Sequence, residues 1–256
     1  MIGRHIAASV AFAAVLLTTG CNDARTPAFQ GWIEADLIFV SPDENGRIET
    51  LAVREGDQVM MRAPLFTLDS ELQQADLAMQ EAAVKNAQQA YDRAVALLRS
   101  NAGTQKALED AEAALRTAQA RLNSSQTRLG RRKMASPVEG TVQQIYFRMG
   151  EMVIAGRPVV ALLPPANLKV RFFVGEATLP QLKIGEPVNV LCDGCQPGIT
   201  AKVSFISRTS EFTPPVIYSL EERHKLVFLI EARTEHPELL RVGQPVTVTL
   251  APGAQS

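Results

Sequence analysis

Cysteine is the residue type in this 256-residue chain that most directly suggests chemistry. Cys192-Asp-Gly-Cys195 places two thiols three positions apart, between two segments that alternate like β-strands. Such a pair can form a tight disulfide, bind zinc or act as a redox couple. Zinc would need further ligands, and His224 and His236 lie far away in the sequence. A redox pair normally opens a helix of a thioredoxin-like unit, which the flanking residues do not predict, so we favour a structural disulfide.

No other group of reactive side chains stands out in the sequence. It contains no phosphate-binding loop, no Ser/His/Asp arrangement and no metal-ligand spacing, so it predicts neither an enzyme nor a cofactor. The net charge of -1 argues against a general affinity for nucleic acid. The basic cluster Arg131-Arg132-Lys133 is typical of a solvated helix end, where cations interact favourably with the helix dipole.

The amino-terminal residues predict export from the cytoplasm. The uncharged apolar run 6–17 follows a basic residue, is short for a membrane span and is typical of a signal peptide. Thr18-Thr-Gly-Cys21 resembles the lipobox of a bacterial lipoprotein, although Thr18 stands where that motif usually has leucine. We expect residues 1–21 to be a leader and Cys21 to be lipidated. An ordinary cleaved signal and an uncleaved inner-membrane anchor are the alternatives.

Two distant stretches of the chain have nearly the same sequence. Residues 54–68 (REGDQVMMRAPLFTL) and 148–162 (RMGEMVIAGRPVVAL) agree at glycine, proline and apolar positions. Short alternating apolar runs with glycine between them predict strands joined by tight turns. The repeat therefore predicts one β module in two halves, 32–69 and 134–165, neither of which can bury its apolar face alone.

The intervening residues 70–133 predict a helical hairpin. They contain no proline and are rich in Ala, Gln, Glu, Leu and Arg, which are good helix formers. Heptad spacing predicts an antiparallel coiled coil with its tip near residues 100–104. The seam positions are Leu77, Val84, Ala87, Tyr91, Ala94 and Leu98 in the first arm and Leu108, Ala111, Leu115, Ala118, Leu122, Ser125 and Leu129 in the second. The outer faces are polar, so we expect the hairpin to stand in solvent or against a polar partner.

After residue 165 the chain alternates as a series of strands. Lys183-Ile-Gly-Glu-Pro-Val-Asn-Val190 recurs as Arg241-Val-Gly-Gln-Pro-Val-Thr-Val248. Each copy predicts a turn at glycine and then a strand that begins at proline, where the missing N–H matters least.

Together these features resemble the HlyD/MacA-type periplasmic adaptors, also called membrane fusion proteins. The repeat is similar to the two halves of a biotinyl/lipoyl-like domain, the coiled coil to the adaptor hairpin, and residues 166–250 to the adaptor β-barrel. The resemblance implies an α+β fold: an elongated multi-domain chain with a split lipoyl-like β module, an inserted helical hairpin and a C-terminal β-barrel. It also suggests that residues 27–40 supply one strand of a membrane-proximal domain.

The resemblance implies a protein without chemistry of its own that links an inner-membrane exporter to a TolC-type outer-membrane channel. It implies a homo-oligomeric ring of six copies in the periplasm, anchored to the inner membrane through lipidated Cys21 or a signal-anchor. The segment Ser210-Glu-Phe-Thr-Pro-Pro, together with Leu220–Phe228, is similar to a subgroup that works with ABC exporters. An ABC exporter is therefore the expected partner, and a proton-driven pump is the alternative.

The tip of the hairpin resembles the channel-docking motif of these adaptors, in which Arg is followed by Leu four residues later and by Ser seven residues after that. Arg93, Leu97 and Thr104 have this spacing, with threonine in place of serine. A cation and an apolar side chain before the turn, with a hydroxyl after it, suit a groove between channel helices. The alternatives are that Arg93 is a solvated charge and that Leu97 packs in the seam.

Two other functions compete with the adaptor. A carrier subunit would need a lipoylated or biotinylated lysine at the turn between the halves, but no lysine occurs between residues 1 and 84. An envelope coiled-coil scaffold without a role in transport would keep the hairpin, but would not need the split repeat or the tip spacing.

Overall fold

The computed structural model describes residues 27–212 and 226–251. Cys21 and the leader lie outside the described residues, and so do residues 213–225 of the segment that is similar to ABC-associated adaptors. The described chain forms two compact units: one comprises Ala35–Leu168, and the other comprises the residues up to Glu34 and from Lys169 onward. In the part that the structure describes, no helix has both the length and the apolar character needed to cross a membrane.

The secondary structure agrees with the segments that the sequence predicts. In chain order the strands are β1 (Ala28–Ala35), β2 (Ile38–Val40), β3 (Gly46–Leu51), β4 (Gln58–Val59), β5 (Pro64–Leu68), β6 (Lys133–Ala135), β7 (Gly140–Ile145), β8 (Met152–Val153), β9 (Val160–Leu163), β10 (Leu168–Gly175), β11 (Pro187–Leu191), β12 (Ile199–Phe212), β13 (Leu226–Thr234) and β14 (Pro245–Leu250). Two long helices, α1 (Glu71–Arg99) and α2 (Gln105–Gly130), lie between β5 and β6.

Each sheet of the first unit combines strands from both halves of the repeat. One sheet has the order β2-β9-β7-β4, and the other has the order β6-β5-β3-β8. The two central strands of each sheet come from one half, and the two edge strands come from the other half. The prediction that neither half is complete alone is therefore confirmed.

Equivalent hydrogen bonds join the halves at two glycine turns. The amide of Gly56 donates to Val142 O and the amide of Gly150 donates to Ile48 O, both at 2.8 Å. The two glycines have φ angles of 92° and 91°, which side chains with a Cβ rarely tolerate. Glycine recurs in the repeat because each half needs the same turn.

The core of the split module lies between its two sheets. Its most buried side chains come from both halves and are at most 1% exposed: Ile48, Leu65, Phe66, Leu68, Val142, Val153, Val159, Val160 and Leu162. Burying one such side chain contributes about 1.5–3 kcal/mol. Separating the halves would expose all of them, so the two halves must fold together.

The two helices form the antiparallel hairpin through a seam of alternating three- and four-residue spacing. The less exposed positions include Gln73, Leu77, Gln80, Val84, Ala87, Tyr91, Ala94 and Leu98 on α1 and Leu108, Ala111, Leu115, Ala118, Leu122, Ser125 and Leu129 on α2. All of the seam positions that the heptads predict are among them, so the predicted coiled coil is confirmed. The many alanines allow the two backbones to approach closely.

The turn at the tip closes both helices with its own hydrogen bonds. Asn101 has a φ of 57°, and the amides of Asn101 and Ala102 donate to carbonyl groups in the last turn of α1. This is the pattern of a Schellman cap. Thr104 is the N-cap of α2, because its Oγ1 accepts from the amide of Ala107 at 3.1 Å. The tip is therefore an ordered turn.

The second unit is a closed six-stranded barrel with the order β1-β10-β13-β12-β11-β14. Along β10 the side chains alternate, and those that face the interior are at most 6% exposed: Leu168, Val170, Phe172 and Val174. Gly31 of β1 lies against β10, where an added Cβ would be 2.5 Å from Arg171 O. The barrel therefore requires glycine at this crossing.

The position of β1 corrects one expectation from the sequence. Residues 27–40 were expected to supply a strand of a membrane-proximal domain, but β1 pairs with β14 in the barrel and residues 38–40 form β2 of the split module. The reason is that Gly31 and Ile33 are both buried in β1, which matches the inward alternation of the neighbouring strands. A barrel needs this strand to leave no unpaired edge.

A carboxylate in the seam should separate the helices. Leu115→Asp removes apolar packing and places a charge between α1 and α2, which should destabilise the hairpin by about 2 kcal/mol or more. We expect a loss of helical signal in far-ultraviolet circular dichroism. Ala114→Asp, at the adjacent exposed position, is the matched control and should keep the signal. Unchanged helicity in Leu115→Asp would contradict the seam.

Replacing the N-cap should weaken the start of α2. Thr104→Ala removes the oxygen that accepts from Ala107, and losing such a cap costs about 1 kcal/mol. Thr104→Ser keeps the oxygen and should retain most of the stability. Urea unfolding followed by the helical signal measures both effects. Equal midpoints for the alanine variant and the parent would show that the cap does not stabilise the helix.

Candidate functional site

The candidate site is the tip of the hairpin, where Arg93, Leu97 and Thr104 are all exposed. Arg93 and Leu97 are four positions apart on α1, so they project from the same side of the helix. Thr104 begins α2 directly after the turn. Leu97 is 51% exposed, and the seam position is taken by Leu98. The alternative that Leu97 packs in the seam is therefore excluded.

Arg93 is a cation available to a partner. It makes no ion pair with any of the described residues, and the ion pairs within the hairpin join residues of one helix, such as Lys106 with Asp110 at 3.0 Å and Arg116 with Glu112 at 3.1 Å. A guanidinium in this position can donate several hydrogen bonds to carbonyl or carboxylate oxygens of another protein.

The hydroxyl of Thr104 caps α2, which the docking motif in the sequence did not reveal. Its oxygen accepts from the amide of Ala107, while its hydrogen remains free to be donated. A partner can therefore receive a hydrogen bond from Thr104 without opening the cap. The signal for this role was present in the sequence, since Ser or Thr directly before a helical run is the usual N-cap.

A short apolar stripe, formed by Leu72 and Met79, lies near the start of α1 outside the seam. The exposed large apolar side chains of the hairpin are Leu72, Met79 and Leu97, with exposed fractions of 82%, 64% and 51%. Leu72, Met79 and Arg93 share one heptad position, and Leu97 lies one turn beyond Arg93, so the four side chains line one flank of the helix. Sequence analysis missed this stripe because the stronger heptad of the seam obscured it.

The base of the hairpin is polar. The pKa of Asp76 on α1 is lowered by the nearby hydroxyl of Ser125 on α2 and by Gln80, which donates to the carboxylate at 3.1 Å. Arg128 lowers it further by its positive charge. The Ser125 hydroxyl is buried and finds no partner of strict hydrogen-bond geometry. The seam therefore carries polar side chains among its leucines where the hairpin joins the sheets.

A disulfide joins Cys192 and Cys195 in the loop between β11 and β12, with a Cα–Cα distance of 5.3 Å. Gly194 provides the turn with a φ of 77°, and Gln244 donates to Cys195 Sγ at 3.3 Å. His224 lies outside the described residues. Among the residues described, no group of His, Cys, Asp and Glu is arranged to hold a metal ion.

A known domain family matches the split module and its hairpin. Residues 37–163 match the family described as "RND MFP, barrel-sandwich hybrid domain", in which MFP stands for membrane fusion protein. The matched range begins just before β2 and ends with β9, so it contains both interleaved sheets and the hairpin between them.

Two relatives illustrate the similarity in sequence. The UPF0194 membrane protein YbhG of Salmonella gallinarum is 34% identical over 177 residues, which cover 64% of this chain and 53% of YbhG. An uncharacterized protein of Haemophilus influenzae is 26% identical over 201 residues, which cover 74% of this chain and 51% of that protein. The chain thus spans about half the length of these relatives.

Solved structures share the fold. The membrane fusion protein Spr0693 from Streptococcus pneumoniae R6 matches with a TM-score of 0.68 at 20% identity, covering 88% of this chain and 99% of Spr0693. The MacA-MexA chimeric protein, which contains the Pseudomonas aeruginosa MexA α-hairpin domain, matches with a TM-score of 0.68 at 21% identity, covering 88% of this chain and 81% of the chimera. With the interleaved halves and the family match, residues 37–163 belong to the barrel-sandwich hybrid domain family of membrane fusion proteins.

Proposed function

We propose that this protein is a periplasmic adaptor that links an inner-membrane exporter to a TolC-type outer-membrane channel. The observation that carries the proposal is the helical hairpin with a free cation, Arg93, and an exposed leucine, Leu97, at its tip. The hairpin stands on a split module of the membrane fusion protein family. In this role the protein holds two membrane proteins together and needs neither a catalytic residue nor a cofactor.

Docking at the tip would combine shape and charge. Leu97 would enter an apolar groove between two channel helices, and burying its exposed part would contribute about 1 kcal/mol. Arg93 would donate to oxygens at the rim of that groove, and Thr104 would donate its hydroxyl hydrogen. Each contact is weak alone, so a stable link would depend on several hairpins that engage the channel together.

We propose that copies of the protein assemble side by side into a ring, with the hairpins forming a tube. The supporting observation is the stripe of Leu72 and Met79, since exposed large apolar side chains at heptad spacing suit packing against another helix. The stripe lies in the first three turns of α1, at the base of the hairpin, where a channel docked at the tip could not reach it. The family resemblance implies a ring of six copies.

The inner-membrane partner in this proposal is an ABC exporter. Its support is the similarity of Ser210–Phe228 to adaptors of that class, and residues 213–225 of this segment lie outside the described residues. A proton-driven pump is the second candidate, because the matching domain family is named for RND adaptors.

Attachment to the inner membrane would use the amino-terminal leader, with lipidation at Cys21. Stable attachment takes two signals, such as two acyl chains or one chain and a further contact, and binding to the transporter would supply such a contact.

The proposed bridge can be tested in cells with a photo-crosslinking probe in place of Ala102, in the exposed turn. We expect crosslinks to an outer-membrane channel, and a transporter that co-purifies would identify the class of pump. Arg93→Asp reverses the free charge and should abolish both the crosslink and export while keeping the helical signal. Arg121→Asp, at an exposed position of α2 away from the tip, is the control and should change neither. Crosslinks only between copies of the protein would favour the scaffold function instead.

The lipid anchor has its own test. Wild-type cells labelled with palmitate should incorporate the label into this protein, and Cys21→Ser should block the incorporation completely because the thiol that carries the lipid is missing. The absence of label in the wild type would refute lipidation and leave the cleaved signal or the uncleaved anchor.

A further inference from the structure

Arg132 is a buried cation at the base of the hairpin. It lies between the end of α2 and the start of β6, and its side chain is 9% exposed. Its neighbour Arg131 is 57% exposed and forms only a long ion pair with Asp43, at 3.7 Å. The sequence predicted a solvated helix end for both residues, and for Arg132 that prediction is wrong. A buried guanidinium is unfavourable unless its donors are satisfied, so its surroundings require an explanation.

The guanidinium bonds to two segments that are distant from it in the sequence. Nη1 donates to Asn45 O at 2.9 Å, and Nη2 donates to Glu44 Oε2 at 3.1 Å. The side-chain oxygen of Gln73, in the amide orientation that satisfies both groups, accepts from Nε at 3.1 Å and also from Nη2. Arg132 therefore joins the loop before β3 to the first turns of α1, and its own backbone leads out of α2.

The same contacts extend into the second half of the repeat. Asn45 Oδ1 accepts from the amide of Ala155, in the turn after β8, at 2.8 Å. Arg132 also explains Gly46, because a Cβ there would be 2.6 Å from Nη1. Gly140 corresponds to Gly46, because each lies ten residues before the turn glycine of its half, Gly150 or Gly56. Gly140 faces the carbonyl of Leu163 instead. The glycine is repeated in the sequence, but the first copy makes room for a guanidinium and the second for a backbone.

Apolar packing is thinner at this end of the hairpin. Among the seam positions nearest the sheets, Leu77 and Leu129 alternate with the polar Gln73, Gln80 and Ser125, and the polar side chains contribute little apolar burial. Beyond the pairing of β5 with β6, two backbone hydrogen bonds act at the entry and exit of the hairpin: Leu68 N donates to Arg132 O, and Asp69 N donates to Arg47 O. The directional bonds of Arg132 therefore add a constraint on the angle of the helices at the end where the seam is partly polar.

We propose that Arg132 is a positioning residue that sets the direction of the hairpin relative to the split module. Its guanidinium binds Gln73, where the chain enters the hairpin, and the loop before β3, while its own backbone forms the exit from α2. Without these bonds the helices and sheets should remain folded, but the hairpin should pivot at its base. The inference concerns the isolated protein and depends on the proposed function only for its effect on export.

The test measures the distance between the tip and the sheets. Spin labels are placed at cysteines that replace Ala102 and the exposed Gln143 of β7, in the full chain carrying Cys21→Ser. Cys192 and Cys195 are bonded to each other and take up no label. Pulsed electron paramagnetic resonance should give a narrow distance distribution for the parent, and Arg132→Gln should roughly double its width while helicity is retained.

Two further variants sharpen the test. Gly46→Ala keeps the charge but displaces the guanidinium, so it should broaden the distribution in the same way. Arg131→Gln, at the exposed neighbouring position, is the matched control and should leave the width unchanged. A stability effect alone would lower the unfolding midpoint without changing the distribution measured far below that midpoint.

An unchanged width in Arg132→Gln with full helicity would overturn the proposal. If Arg132→Gln loses helical signal, the distance distribution of Arg132→Lys is the test instead. Lysine keeps the charge but cannot make the forked set of bonds. A broad distribution in the folded lysine variant supports the proposal, and a narrow one overturns it. The result is distinguishable from a failure of the adaptor function, which would remove the tip crosslink to a channel but would leave these distances unchanged.

Discussion

The exchange of strands between the two halves of the split module is the constraint on which the rest of the structure depends. Each sheet takes its centre from one half and its edges from the other, so the chain must return to its starting point after the hairpin. The strands that flank the insertion confirm this, because β5 and β6 pair directly through Phe66 with Met134 and Thr67 with Lys133. An inserted segment whose ends are adjacent in a sheet must run out and back, and two antiparallel helices satisfy that condition at any length.

This arrangement separates stability from the candidate site. The buried core lies between the sheets, whereas the tip residues lie beyond helices of 29 and 26 residues, which is about 40 Å at 1.5 Å per residue. The backbone groups of the turn at the tip are satisfied within the turn, so the side chains of Arg93 and Leu97 are not needed for it and remain available to a partner. At the base of the hairpin, by contrast, Arg132 is buried and its side chain bonds to several parts of the fold.

One local device recurs in both units of the chain. Four turns have a basic residue first and a glycine with positive φ third, and the first amide donates to a side-chain oxygen at the fourth position: Arg54 to Asp57, Arg148 to Glu151, Lys183 to Glu186 and Arg241 to Gln244. Each turn is followed by a strand of a sheet or of the barrel. The common turn explains why the sequence repeats glycine followed by Asp, Glu or Gln at corresponding places in domains of different architecture.

The sequence by itself determined the elements whose signals are local. The seam of the hairpin, the strands of the repeat and the turns at glycine follow from periods of 3.5 and 2 and from backbone conformation, and the positions of Arg93, Leu97 and Thr104 near the turn followed from the same pattern. Only the tertiary structure decided which half supplies each strand, that β1 completes the barrel, and that Arg132 is buried while Arg131 is not. These outcomes depend on contacts between distant segments, such as Arg132 with Asn45 across 87 positions. A helix-end arginine has the same local sequence whether it meets water or a loop of the sheet, so its role is decided by what the fold brings against it.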